Sequence, residues 1–174
     1  VSFPANKNMT TAEGGALVLP DDVDGDRCER LRLQGVQRFP GGAQEVTEAG
    51  EKWNLTDIAA AIGLGQLKRT REFTERRQAL ARLYFQRLAQ PDCARLGLGL
   101  PVADFEQSNW HMFQVLLPEG TDRAAFMAAL QARGIGTQVH YPALHLFQLY
   151  RQMGWKEGDF PVAERIGRTS LTLP

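Results

Sequence analysis

The sequence contains little cysteine, no excess of charge of either sign and no long apolar segment. Its two cysteines are too few for a disulfide scaffold and fit a reducing cytoplasm, where we expect this protein. Twenty Lys and Arg residues balance twenty Asp and Glu residues, which argues against a general nucleic-acid-binding protein. The uncharged stretch 96–103 contains two glycines and a proline, so we expect no membrane-spanning helix. The three histidines and the cysteines lack the spacing of zinc ligands, so we expect no metal site.

What is present is the composition of a soluble globular protein. The 174 residues are 43% hydrophobic and 23% charged, which suits one domain or at most two small ones. The sequence begins at Val1 without a methionine and ends at Pro174 within an apolar phrase. We therefore expect a piece of a longer protein.

The first part of the chain predicts one short strand, three helices and a long loop. Residues 16–19 are apolar between glycines and a turn signal, which predicts a strand. A helix over 26–33 is followed by a glycine-rich loop over 34–52. Thr56 is positioned to cap the next helix, and a further helix runs from about Thr70 to Ala89.

The second part predicts alternating strands and helices after a linker over 91–108. Residues 110–117 indicate a strand buried on both faces, and Thr121 is positioned to cap a helix. A second strand over 137–141 and a short helix over 144–153 follow. The whole pattern predicts an α+β fold.

Lys7 is the residue with the clearest chemical implication. It follows an apolar entry at Phe3 and is surrounded by small polar residues, which is unusual for a surface lysine. Burial disfavours the charged form of an amine and lets it attack a carbonyl carbon. The hydroxyls of Ser2, Thr10 and Thr11 are donors of the kind that hold a phosphate. Pyridoxal 5'-phosphate combines an aldehyde with a phosphate, so the residues suggest this cofactor and go no further.

A family resemblance goes further than the residues alone. The stretch from Ser2 to Gly15 resembles the Schiff-base segment of the DegT/DnrJ/StrS sugar aminotransferases, written S-F-x-x-x-K-x-x-T-x-x-E-G-G. Similar motifs continue in the family's order over residues 50–67, 76–77, 110–113, 133–137 and 139–142. The wording at 52–57 is most similar to the branch of UDP-4-amino-4-deoxy-L-arabinose transaminase.

The resemblance implies a fold and an activity. It implies the C-terminal half of a fold-type I transferase dependent on pyridoxal phosphate. Residues 1–67 would be a remnant of the large domain, and 68–174 the small α+β domain without its last helix. The activity would move an amino group from an amino acid, expected to be glutamate, to a nucleotide-linked keto sugar for cell-envelope polysaccharide. Without the preceding half, the chain alone should transaminate poorly.

The resemblance also implies roles for individual residues. Lys7 would form the Schiff base with the cofactor and move the proton, and Ser2 would bind the cofactor phosphate. Asn54 would reach the phosphate of the neighbouring subunit of a homodimer. His140 and His145 would lie near the sugar nucleotide. Pro4 stands where many members have histidine, so any substrate contact of that imidazole is absent.

Other interpretations stay open at this point. Asn54 could simply take part in capping the helix that begins near Thr56. The chain could be a non-catalytic dimerisation module that retains only the interface helices and the small domain. A dehydratase of the same family is disfavoured, because those members replace the lysine by histidine and Lys7 is intact here.

Overall fold

The computed structural model describes residues 1–174 and divides the chain into two compact units. The first comprises Val1–Phe73 and the second Thr74–Pro174. Both mix helices with short antiparallel strands, as the α+β prediction expects. The assignment of 1–67 to a large-domain remnant and of 68–174 to a small domain stays a prediction. None of the helices is both long enough and apolar enough to cross a bilayer.

The first unit contains a helix and a hairpin where the sequence predicts a helix and a loop. Helix α1 spans Gly25–Leu31, and the Asp24 carboxylate caps it by accepting from the Arg27 amide at 2.9 Å. Strands β1 (Val36–Arg38) and β2 (Gln44–Val46) pair antiparallel, with a 3₁₀ turn at Pro40–Gly42 between them. The prediction of a structureless loop over 34–52 is therefore wrong. Two of the glycines that suggested a loop, Gly41 and Gly42, belong to this tight turn.

The predicted strand over 16–19 is also wrong. Only Gly15 makes a bridge, to Ser2, and the following residues have no ladder partner. Leu17 and Val18 are largely exposed. An apolar run specifies a strand only when another strand lies beside it, and this unit provides none there.

Two helices complete the first unit and lead into the second. Helix α2 spans Asp57–Leu67, and the Thr56 hydroxyl accepts from the Ala59 amide, which confirms the predicted cap. Helix α3 spans Thr70–Leu88, within one residue of the predicted end. Gly63 is the only buried residue of α2, and its apolar residues Ile58 and Ile62 are exposed.

The second unit is built on a two-stranded sheet. Strand β3 (Phe113–Leu116) pairs antiparallel with β4 (Ser170–Leu173), and isolated bridges from Gly99 and Gln138 extend this sheet at both edges. With it lie most of α3, four further helices and a 3₁₀ turn at Leu144–Leu146. The further helices are α4 (Pro91–Ala94), α5 (Arg123–Gln131), α6 (Gln148–Gln152) and α7 (Pro161–Thr169).

Three details of the second unit differ from the sequence prediction. The strand predicted over 110–117 is shorter, and its burial alternates, with Phe113 and Val115 inward. The strand predicted over 137–141 is reduced to the bridge at Gln138. Helix α5 is capped by Asp122, whose carboxylate accepts from the Ala125 amide at 3.0 Å, and not by Thr121.

The core of the second unit is aromatic. Trp110 and Phe113 are buried together with Val115, Leu117 and Leu171. Tyr84 of α3 stacks on Phe113 with ring centroids 4.7 Å apart. This packing fixes α3 against the sheet within the second unit.

Candidate functional site: the lysine loop and its neighbours

Lys7 lies in a closed loop, residues 2–15, which we call the lysine loop. Its two ends pair at Ser2 and Gly15, and the Phe3 amide donates to the Gly14 carbonyl at 2.9 Å. Just outside, the Val1 amine donates to the Ala16 carbonyl and the Ala16 amide donates back to Val1. The base of the loop is thus held like the end of a hairpin.

A turn inside the lysine loop positions Lys7. The Lys7 amide donates to the Pro4 carbonyl at 3.0 Å, which closes a four-residue turn. The Lys7 side chain is half-buried, and its amine forms no ion pair and no hydrogen bond within the chain. The loop therefore holds an amine in a defined position, and no carboxylate of the chain forms an ion pair with it.

The hydroxyls of Thr10 and Thr11 serve the loop itself. The Thr10 hydroxyl donates to the Phe3 carbonyl at 3.2 Å and accepts from the Ala12 amide at 2.9 Å. The Thr11 hydroxyl donates to the Glu13 carbonyl at 2.6 Å. The sequence suggested these hydroxyls as phosphate donors, and that interpretation is wrong because backbone carbonyls already take their protons.

The lysine loop packs closely on the segment before α2 and on α2 itself. A methyl group at Gly14 would lie 2.7 Å from Leu55 Cδ1, and one at Gly63 would lie 2.8 Å from Thr11 Cγ2. Both distances are shorter than two carbon atoms tolerate. The absence of a side chain at these two glycines is what lets the loop and the helix meet.

An open pocket of about 450 Å³ lies between the returning arm of the lysine loop and α2. One wall is Thr11–Gly15, and the other is Trp53–Thr56 with the exposed face of α2. Asn54 is half-buried in this pocket, whereas Lys7 and Ser2 do not line it. The helix cap comes from Thr56, so the capping interpretation does not account for Asn54.

Ser2 lies at the base of the loop with its residue exposed. Its backbone pairs with Gly15, and Ser2 precedes Lys7 by five residues along the chain. Its hydroxyl remains available to a ligand, in contrast to those of Thr10 and Thr11.

His140 belongs to the second unit and is held at two points. Its Nδ1 lies 2.9 Å from the Thr172 hydroxyl, and its carbonyl accepts from the Gln114 side-chain amide. These contacts tie the His140 backbone and one ring nitrogen to the sheet. The other ring nitrogen, Nε2, is left for a further partner.

His145, also in the second unit, is buried with Glu164. Only 8% of His145 is exposed, and its Nε2 lies 2.9 Å from Glu164 Oε1. The same oxygen accepts from the Gly158 and Phe160 amides. The hydrogen bond from His145, followed by those from the two amides, lowers the pKa of Glu164 below its ordinary value against the opposing effect of burial.

Cys28 and Cys93 are free thiols. No group of three or more His, Cys, Asp and Glu side chains is arranged to hold a metal ion.

Sequence reasoning missed two features that shape these sites: Glu164 and the burial of Thr11. The small side chain at Gly63 predicts a close approach of another helix to α2, and the element that approaches there is the lysine loop instead. Glu164 sits in the first turn of α7 and gives no sign in the sequence of its buried histidine partner.

Comparison with known proteins gives a consistent answer along the whole chain. Residues 1–174 match the model of the DegT/DnrJ/EryC1/StrS aminotransferase family. The chain is 33% identical to the uncharacterized protein MJ1066 of Methanocaldococcus jannaschii over 99% of its own length. It is 35% identical to the spore coat polysaccharide biosynthesis protein SpsC of Bacillus subtilis, again over 99% of the chain. The chain spans about half the length of these curated relatives, 47% in each case.

A solved structure agrees with the sequence relatives. Spr1654 of Streptococcus pneumoniae, which carries a provisional assignment as a sugar aminotransferase, superposes with a TM-score of 0.87 in its PMP form at 26% identity. That match covers 99% of this chain and 46% of Spr1654, and the PLP form of the same protein gives 0.86. The cofactor prediction is confirmed at the level of the family, whose solved members hold PLP and PMP. The chain belongs to the DegT/DnrJ/EryC1/StrS aminotransferase family.

Proposed function

We propose that this chain carries the cofactor-binding lysine of a sugar aminotransferase. The complete gene product would transfer an amino group from an amino acid, with glutamate as the expected donor, to a nucleotide-linked keto sugar. SpsC acts in polysaccharide biosynthesis and Spr1654 is assigned to sugar amination, which supports a sugar as the acceptor.

The observation that carries the proposal is the geometry of Lys7. The amine is half-buried, sits on a closed turn and has no partner in the chain. A nucleophilic amine needs this combination, because an ion pair would hold it in the charged form. The Lys7 amine and the neutral donors Ser2 and Asn54 therefore fit pyridoxal phosphate, whose aldehyde reacts with an amine and whose phosphate accepts hydrogen bonds.

The cofactor, when bound, supplies the electron sink for breaking a bond at the donor's α-carbon. The chain's own residues do the rest. Lys7 Nζ binds the cofactor and, once released, takes and returns the proton at the reacting carbon. The turn closed by the Lys7 amide and the Pro4 carbonyl would hold the amine in one position during these steps.

Ser2 and Asn54 are proposed for the cofactor phosphate. The Ser2 hydroxyl is exposed beside the base of the lysine loop, and the Asn54 amide lies in the open pocket. Asn54 would serve the phosphate of a neighbouring subunit in a homodimer. The exposed apolar residues beside it, with Trp53 71% and Ile58 78% exposed, support such an interface.

His140 and His145 are proposed for the sugar-nucleotide side. His140 keeps one ring nitrogen for a substrate oxygen. His145 is already paired with Glu164, so its contribution would be to fix the 3₁₀ turn at Leu144–Leu146 rather than to contact the sugar directly.

Borohydride trapping tests the proposal. The complete gene product is incubated with pyridoxal phosphate, reduced with borohydride and digested, and the pyridoxyl label is located by mass spectrometry. We expect the label on Lys7. Lys7→Ala should remove both the label and amine transfer to a keto-sugar nucleotide, whereas Lys68→Ala, at an exposed lysine of the same unit, should change neither.

Two other outcomes have definite meanings. A label on another lysine would refute the role of Lys7. Absence of label and of transfer would favour the non-catalytic dimerisation module. We also expect this 174-residue chain alone to transaminate poorly, since it spans only about half the length of its curated relatives.

A further inference from the structure

We infer that Thr11 and Gly63 are positioning residues that seat the lysine loop on α2, so that the placement of Lys7 depends on the fit between the Thr11 methyl group and the bare helix surface at Gly63. This inference rests on the proposed function, because it assigns a mechanical role to residues around the cofactor-binding lysine.

Thr11 is the best-buried side chain of the first unit. It is 2% exposed, although it lies in a loop with exposed neighbours on its C-terminal side. Its amide donates to the Phe3 carbonyl at 3.0 Å, and its hydroxyl donates to the Glu13 carbonyl at 2.6 Å. Thr11 thus joins the outgoing and returning arms of the loop that carries Lys7.

Gly63 supplies the complementary surface. It is the only buried residue of α2, and a methyl group there would press on the Thr11 methyl at 2.8 Å and touch Met9 Cε at 3.8 Å. Gly65, two residues later in the same helix, has open space around the same position. Glycine is otherwise unfavourable inside a helix, so its presence at 63 is explained by the loop that rests on it.

The contact between Thr11 and Gly63 is joined by a second close contact, which involves the residue next to Asn54. A methyl group at Gly14 would meet both Leu55 Cδ1 and the Thr11 hydroxyl at 2.7 Å. Leu55 directly follows Asn54, so the Lys7 loop and the Asn54 segment are held by the same cluster around Thr11. A displacement of Thr11 should therefore move the Lys7 amine relative to the cofactor.

Size complementarity gives a sharp test in the complete gene product. Gly63→Ala adds a methyl that collides with Thr11, and Thr11→Ser removes the methyl it collides with. The double variant should restore the fit. Gly65→Ala is the matched control, because it makes the same change in the same helix where there is open space.

The readouts are the rate of borohydride-trapped label at Lys7, the pH profile of the cofactor absorbance, and kcat separated from KM. A shift of about 1 Å at a catalytic group can cost about 100-fold, so we expect Gly63→Ala to slow capture at Lys7 at least about tenfold and to lower kcat more than it raises KM. Gly65→Ala should remain within about twofold of the unaltered protein. Thr11→Ser/Gly63→Ala should recover most of the loss.

Each outcome decides the matter. Equal behaviour of Gly63→Ala and Gly65→Ala, or no recovery in the double variant, would overturn the inference while leaving the label on Lys7 and the proposed function intact. If Gly63→Ala unfolds at a clearly lower temperature in circular dichroism, the comparison of Thr11→Ser with the double variant decides instead. The double variant should then label Lys7 at least as fast as Thr11→Ser does. If the unaltered protein takes no label at Lys7, the proposed function fails, and this inference fails with it.

Discussion

The two units of the chain are stabilised in different ways. All of the well-buried hydrophobic residues lie in the second unit, around Trp110, Phe113 and Leu171. The first unit buries Thr11 and two glycines, and it exposes large apolar residues such as Trp53 and Ile58. The second unit therefore has its own hydrophobic core, whereas the first is held by backbone hydrogen bonds and close glycine contacts.

This difference bears on the proposed role of Lys7. A lysine that binds a cofactor must stay accessible, which a packed aromatic core would prevent, and the lysine loop achieves its shape through paired amides and carbonyls instead. The apolar surface around Trp53 is then free to be covered by other parts of an assembly, as large exposed patches usually are. Substitutions in the two units test this contrast.

Shortening a single apolar side chain should show the difference between the two units most clearly, through its effect on the unfolding free energy. Leu171 is fully buried in β4, so Leu171→Ala should cost about 2–5 kcal/mol of unfolding free energy through lost burial and a residual cavity. Ile58→Ala removes a side chain that is largely exposed and should change stability by no more than about 0.5 kcal/mol. Urea unfolding of this chain, followed by circular dichroism, measures both. Equal losses would mean that the first unit has a core of its own.

Backbone fit should matter more than burial in the first unit. Gly35 has φ +72°, and a methyl group there would overlap the Glu48 carbonyl oxygen. Gly42 has a similar φ of +86° and open space around it. The left-handed backbone alone costs roughly 1–2 kcal/mol for an alanine, so Gly42→Ala should lose about that much and Gly35→Ala clearly more. The same unfolding assay compares them, and equal losses would show that the overlap relaxes freely.

The same contrast sets the limit of prediction from sequence. Helices α2 and α3 were predicted closely, because the Thr56 cap of α2 and the helical spacing of apolar residues along α3 are local signals. The motif around Lys7 predicts a functional role for the lysine loop, and that role stays a prediction. The hairpin at β1 and β2 was missed, since the glycines that make its tight turn also look like loop residues. The strand over 16–19 was overpredicted, because a strand needs a neighbour that the local sequence does not specify.

Only the part of the candidate site that lies within sequence motifs could be predicted. Lys7, Ser2 and Asn54 follow from a pattern along the chain, but their roles remain predictions. The seating of Thr11 on Gly63 and the pairing of His145 with Glu164 join residues that are distant in sequence. Such contacts depend on how elements pack, which no local signal encodes. The helix α5 cap lies between these cases, because two adjacent residues could each have supplied it.

The α5 cap can be tested directly. The Asp122 carboxylate accepts from the Ala125 amide, so Asp122→Ala should cost about 1 kcal/mol, typical of a lost N-cap. Thr121→Ala, at the position that the sequence favoured, should be nearly neutral. Thermal unfolding of the two variants gives the comparison. A larger loss at Thr121 would restore the sequence-based choice.

The smallest effect at neutral pH is expected at Glu164, because glutamine keeps the oxygen that accepts from His145 and from the Gly158 amide. The pKa of Glu164 is lowered in the folded chain, first by the hydrogen bond from His145. A carboxylate with a lowered pKa stabilises the fold above its unfolded pKa, about 4.3, and that contribution is lost as the pH falls through the lower folded value. Protonated Glu164 resembles glutamine.

The stability advantage of the unaltered chain over Glu164→Gln should therefore be largest near pH 7 and should shrink as the pH falls below about 4.3, since protonation removes the charge that distinguishes the two side chains. Urea unfolding of both proteins from pH 7 to pH 3 measures this convergence, and parallel curves would show that the charge of Glu164 contributes nothing to holding the second unit together.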